Sequence, residues 1–123
     1  MKTPTNLKEC FAELKRINSK KALEDWIDRE EDRACNEIHF TTGMNIRNKW
    51  GLWGKNKLTK WFNSIGIYHA DDMSSIILTS FHRVLNKTPM DIKAQIKYYI
   101  DYWKQEGFKD GNPLNDSREN CTK

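Results

Sequence analysis

The sequence predicts an all-α fold, a single compact bundle of about six helices. Three observations carry this. Large apolar residues recur at i, i+3, i+4, i+7 in segment after segment, no run sustains the alternation of a strand, and β-branched residues fall at helical intervals. With 123 residues the chain is long enough to bury a core without disulfides or metals. Five Trp, five Phe and four Tyr supply the bulk for that core, although only 37% of residues are apolar.

The elements follow in order. Leu7, Phe11 and Leu14 line one face of a first helix, and Asn6 with Glu9 three residues later reads as a capping box. Ser19 caps a second helix with Leu23, Trp26 and Ile27 as its stripe. A third runs through "EEDRACNEIHFTT", with Ala34, Cys35 and Ile38 inward and Gly43 as a left-handed stop. Next, Gly51 and Gly54 bracket Leu52 and Trp53, which predicts a tight connection rather than continuous helix. Leu58, Trp61, Phe62 and Ile65 mark a fourth helix, closed by Gly66. Asp71 and Asp72 open a fifth, whose stripe is Met73, Ile76, Ile77, Phe81 and Val84. Thr88 before Pro89 reads as cap plus first residue of a sixth, which buries Ile92, Ile96, Tyr99, Ile100 and Trp103 and ends at Gly107. The expected organisation is a helical domain over 1–108 and a flexible polar tail over 109–123.

Composition narrows the function classes. Cys10, Cys35 and Cys121 are odd in number and scattered, with no CxxC pair, so neither a zinc finger nor a disulfide framework is expected. No apolar run approaches the length of a membrane span and the first residues lack a signal peptide, so a cytoplasmic protein is expected. The net charge of +4 conceals a polarised chain. From Glu24 to Glu37, seven acids face two arginines, a local charge of −5; from Gly43 to Phe62, five basic residues stand without an acid, +5. Acids beside phosphates oppose the counterion release that drives nucleic-acid affinity, so the acidic block argues against a purely nucleic-acid-binding module.

The stretch "NIRNKWGLWGKNKLTKW" holds three tryptophans among these lysines and arginines. Exposed indoles there would stack bases. Trp61, however, shares a face with Leu58 and Ile65, and Trp50 and Trp53 are expected to turn inward at a helix junction, leaving the basic residues as a rim. Together with "GIYHADDMSSIILTSFHRVLN" and "QIKYYIDYW", this stretch resembles a family of small bacterial proteins of unknown function that shares an IRN-x-WGLW element followed by GI-x-H-x-DDMS-x-IIL-x-S-x-HR-x-LN. The similarity spans about residues 37–103, fits the N-terminal helix and acidic block only loosely, and implies no catalytic residues. A fainter overall similarity is to phage-encoded inhibitors of CRISPR effectors, in particular of a type VI RNA-guided RNase.

No catalytic set is expected. His69 before Asp71 and Asp72 lacks the further ligands of a metal site, and His82–Arg83 reads as a half-buried pair rather than acid–base machinery. Ser74, Ser75 and Ser80 have no nucleophile-elbow glycines. A helix-turn-helix would present Asp71, Asp72, Met73 and Ser74 to the major groove, where phosphates repel the acids. The expected protein is therefore non-enzymatic, without cofactor or metal, binding a protein partner such as a CRISPR effector with its guide RNA. Glu24, Asp25, Asp28, Glu30, Glu31 and Asp32 would meet a basic surface, and Arg47, Lys49, Lys55, Lys57 and Lys60 would touch RNA or an acidic patch. The alternative is a direct binder of RNA or single-stranded nucleic acid.

Overall fold

The computed structural model describes residues 3–114, which form seven helices and no strand: α1 (Leu7–Ile17), α2 (Lys20–Ile27), α3 (Glu31–Ile38), α4 (Thr42–Lys49), α5 (Lys57–Ser64), α6 (Ala70–Leu85) and α7 (Ile92–Gln105). The organising element is α6. It buries residues on nearly every side, from Ala70 and Met73 through Ile76, Ile77 and Leu78 to Phe81, as a helix at the centre of a domain must. Around it pack α1, α2, α3, α4 and α7. Leu58 and Phe62 of α5, with Trp50, Leu52 and Ile67 from the connections, complete the core. Truncating a ring as deep as Phe62 or Phe81 to Ala costs about 3–5 kcal/mol.

Asn6 and Ser19 cap the first two helices as predicted, but the reciprocal bond of the expected capping box goes to Thr5 instead of Asn6. The Asn6 side chain accepts from the Glu9 N–H at 2.9 Å, while the Glu9 carboxylate reaches the backbone and hydroxyl of Thr5, and Ser19 accepts from the Ala22 N–H. A capping box that the sequence reading did not single out starts α5, where Asn56 and Thr59 bond reciprocally.

Three expectations need correction. Gly43 is not a stop: it lies inside α4, a helix absent from the sequence reading. Its sequence, TGMNIRNK, has one large buried aliphatic residue, Ile46, and several weak helix formers, so packing onto α6 overrides propensity. A Cβ there would stand 3.0 Å from a guanidinium nitrogen of Arg47, so any larger residue would press on the buried fork. Thr88 does not open α7. Its N–H and hydroxyl both donate to the Arg83 carbonyl, finishing α6 in a Schellman turn with Lys87 at φ +59 and Pro89 just beyond. The seventh helix starts instead after Asp91, itself left-handed at φ +53. Val84, the last member of the predicted α6 stripe, faces outward.

No residue of α7 is fully buried. Ile92, Ile96 and Tyr99 lean on the core while Tyr98 and Tyr102, one turn apart, point away from it. Residues 109–114 turn back so that Gly111 lies against Ile100. The remainder of the expected tail, 115–123, with Cys121, lies outside the described residues.

Candidate functional site

The N-terminus of α6 is built around a histidine. His69 is its N-cap, and the ring Nδ1 accepts the Asp71 N–H at 3.0 Å, a role the sequence reading gave to the acids that follow it. The Asp71 carboxylate turns to Arg47, whose Nε lies 3.3 Å away. Arg47 is only 4% exposed and spends its fork inside the fold, donating to the Ser74 hydroxyl at 2.7 Å and to the His39 carbonyl at 3.1 Å. One guanidinium thus ties the end of α3 and the body of α4 to the start of α6. Arg47 is accordingly no part of a basic docking surface: its charge is consumed within the molecule.

Above this start stands a row of rings. Trp53 is 61% exposed, contrary to the expectation that both indoles of the bend turn inward; Trp50, at 2%, does turn inward. The two differ because Trp50 is the C-cap of α4 and drops into the core, whereas Trp53 sits in the turn after Gly51 reverses the chain at φ +62. Trp53 packs its ring edge-to-face on His69, with centroids 5.8 Å apart, and His69 stacks in turn on Trp103 at 5.7 Å. Trp103 meets Tyr102 and Phe108 edge-on. Tyr98 and Tyr102, 66% and 44% exposed, extend the row along α7.

Between α6 and α7 lies an open cavity of about 250 Å³, lined by His69, Asp71, Asp72, Tyr98, Tyr99, Tyr102 and Trp103. At its floor Asp72 is 9% exposed, and its Oδ2 accepts the Trp103 indole N–H at 2.7 Å. Burial raises the Asp72 carboxyl above its usual range, against the opposing pull of that indole and of His69. Burial likewise raises Tyr99. A second cavity, about 270 Å³, lies across the Tyr98–Tyr99 wall and is lined also by Asp32, Cys35, His39 and Thr79.

The two charge blocks are spent unequally. In the acidic block, Glu30 caps α3 by accepting from the Asp32 and Arg33 N–H groups, and Glu31 is held in a bidentate pair by Arg83, at 2.6 and 3.0 Å. Arg83 thereby keeps Glu31 below the usual carboxylate range. Glu24 stands 4.0 Å from Lys20, and Glu37 pairs with Arg29 and Arg33. Asp25, Asp28 and Asp32 remain exposed, without an ion pair among the described residues. Of the basic block, Lys49, Lys55, Lys57 and Lys60 are exposed.

The two histidines of α6 do not come together. His69 and His82 stand at opposite ends of α6, thirteen residues and about 20 Å apart at 1.5 Å per residue. His82 is buried against Trp26, ring centroids 4.8 Å apart, and its Nε2 has no partner among the described residues. Cys10 is sealed in the core, its thiol pushed up to about 12, and burial also raises Cys35. Among the described residues no three His, Cys, Asp or Glu side chains gather as a metal site, and no helix is long and apolar enough to cross a membrane.

A family model described as "Domain of unknown function (DUF6794)" matches residues 3–85. The match takes in α1 and the acidic block, which the sequence resemblance fitted only loosely, and stops at the end of α6. No curated protein and no solved structure matches the chain, and nothing connects the family to inhibitors of CRISPR effectors.

Proposed function

The chain belongs to the DUF6794 family, and from its surface we propose that it is a non-enzymatic binding protein whose docking face is the aromatic row from Trp53 across His69 and Trp103 to Tyr102 and Tyr98. The observation that carries this reading is the exposure of Trp53, Tyr98 and Tyr102 side by side with a cavity. Trp and Tyr are the residues on which binding energy concentrates at protein interfaces, and they are costly to leave in water without a partner. The separation of His69 from His82 and the sealed Cys10 thiol speak against chemistry.

In its finer form the proposal is a stoichiometric inhibitor of a nucleic-acid-handling complex. The exposed carboxylates of Asp25, Asp28 and Asp32 would engage the basic channel of such a complex, and a type VI RNA-guided RNase is the candidate the sequence resemblance suggests. Size-exclusion chromatography with that effector and its guide RNA tests it. A one-to-one complex at micromolar concentration that disappears with Trp53→Ala plus Tyr98→Ala supports the proposal, and absence of any complex removes this partner.

A second reading, direct binding of single-stranded RNA, has one observation in its favour: Trp53 is exposed in the same segment as Lys55, Lys57 and Lys60. It requires a gel shift with unstructured RNA at low salt that Lys55→Glu with Lys57→Glu abolishes. The carboxylates of Asp71 and Asp72 beside the same row weigh against phosphate and favour the first reading.

A further inference from the structure

We propose that the cavity between the start of α6 and α7 is a receptor for an organic cation, the ammonium or guanidinium head of a lysine or arginine presented by a protein partner. The proposal rests on the docking reading above and gives its partner a chemistry. The walls are ring faces and edges: the His69–Trp103 stack with Tyr98, Tyr99 and Tyr102 around it. Rings so placed attract a cation through their quadrupoles, and the more strongly once water is displaced.

The floor supplies the charge. Asp72 is nine-tenths buried, yet its one bonded partner is the neutral indole of Trp103, and it forms no ion pair among the described residues. A carboxylate held out of water without a counterion is an unfavourable arrangement that an entering cation relieves. Among the described residues the chain's own cations do not take that place. None of these lysines and arginines lines the cavity; Arg47 is engaged by Asp71, Ser74 and His39, and Lys97 by Asp101 at 2.5 Å. His69 accepts a backbone N–H on Nδ1, which leaves that nitrogen without a proton to offer.

Size and setting select the source of the cation. About 250 Å³ suits the end of one side chain, short of the usual volume for a drug-sized ligand. Across the Tyr98–Tyr99 wall the neighbouring cavity repeats the chemistry, with the exposed and unpaired Asp32 at its edge. Two acidic, aromatic-walled cavities sharing a wall fit two cationic side chains of one basic segment. They do not fit a phosphate, which would meet carboxylates in both.

The test follows the Trp103 indole N–H by NMR during titration with Nα-acetyl-arginine methylamide, its neutral isostere Nα-acetyl-citrulline methylamide, and tetramethylammonium. The proposal expects a saturable shift with millimolar arginine derivative, no saturation with citrulline, and at least a tenfold loss of affinity in Asp72→Asn. The exposed substitution Tyr102→Ala, which leaves the core untouched, should weaken binding several-fold. Equal shifts from arginine and citrulline, or undiminished affinity in Asp72→Asn, would overturn the cation site. Tetramethylammonium binding tenfold tighter than arginine would overturn the partner side chain as its source. The two proposals separate cleanly. An effector complex lost with Trp53→Ala but indifferent to Asp72→Asn keeps the docking face and sinks the cation site; arginine binding without any effector complex keeps the cation site and removes that effector as the partner.

Discussion

Arg47 and Asp72 show how differently two buried charges can be used. Arg47 has three oxygens around its fork, so Arg47→Ala should cost about 3 kcal/mol in chemical denaturation, because it removes the partner of the His39 carbonyl, the donor to the Ser74 hydroxyl and the cation beside Asp71 together. Asp72 forms no ion pair among the described residues, and burial raises its carboxyl above the ordinary 3.8 against the pull of Trp103 and His69. The folded state therefore holds that proton to higher pH than the unfolded chain does, and stability falls as pH rises from about 3.8 through the raised value. Asp72→Asn, which can still accept from Trp103, should be more stable than wild type at pH 7, with the advantage shrinking as pH falls through the raised value and gone below about 3.8. Thermal melts across that range check the direction. Neither role was legible in the sequence. Arg47 stood in a basic run, and only the approach of α3 and α6 makes it internal; His69 preceded two acids that looked like the helix start, and its ring took the cap.

Among the elements, those with strong amphipathic stripes were readable and those defined by their neighbours were not. The α1 and α2 stripes and caps, and the ends of α5 and α7 at Gly66 and Gly107, follow from periodicity and turn chemistry alone. Gly66 sits at φ +92 with Ile100 of α7 so close that a Cβ would approach its Cδ1 to 2.8 Å. Gly66→Ala should thus lose about 1–3 kcal/mol, from backbone strain and from the shift it forces on the Ile100 side chain. The fourth helix escaped notice because its stability is borrowed from α6, and Thr88 misled because a threonine before proline serves a helix end as well as a helix start. A second polar link between α3 and α6, besides Arg47, is the Glu31–Arg83 pair, both partners less than a third exposed. With Glu31 held below its ordinary 4.5, its contribution is present above that pH and fades as pH falls through the lowered value. Glu31→Gln should cost about 1 kcal/mol at neutral pH and nothing in strong acid, measured by urea midpoints at the two extremes.

At the scale of the whole molecule, one side of the bundle combines α7, which has no fully buried residue, with the exposed ring of Trp53 and the floor carboxylate of α6. Helical bundles bury their aromatic residues when they can. This one keeps Trp53, Tyr98 and Tyr102 outside while Trp50, Phe62 and Phe81 fill the core. The sequence announced the charge polarity, but which acids remain free after Glu30 caps a helix and Glu31 and Glu37 pair with arginines is a property of the fold. Reversing Asp25, Asp28 and Asp32 to Lys should weaken the effector complex and flatten its salt dependence with helicity unchanged, as circular dichroism alongside the binding assay would register. The most direct measurement is co-elution of the chain with the type VI effector and guide RNA, wild type against Trp53→Ala, Tyr98→Ala and Tyr102→Ala combined, with melting temperatures recorded in parallel. The docking-face account predicts a stoichiometric complex for the wild type and none for the variant at an unchanged melting temperature. A variant that binds as the wild type does would contradict it.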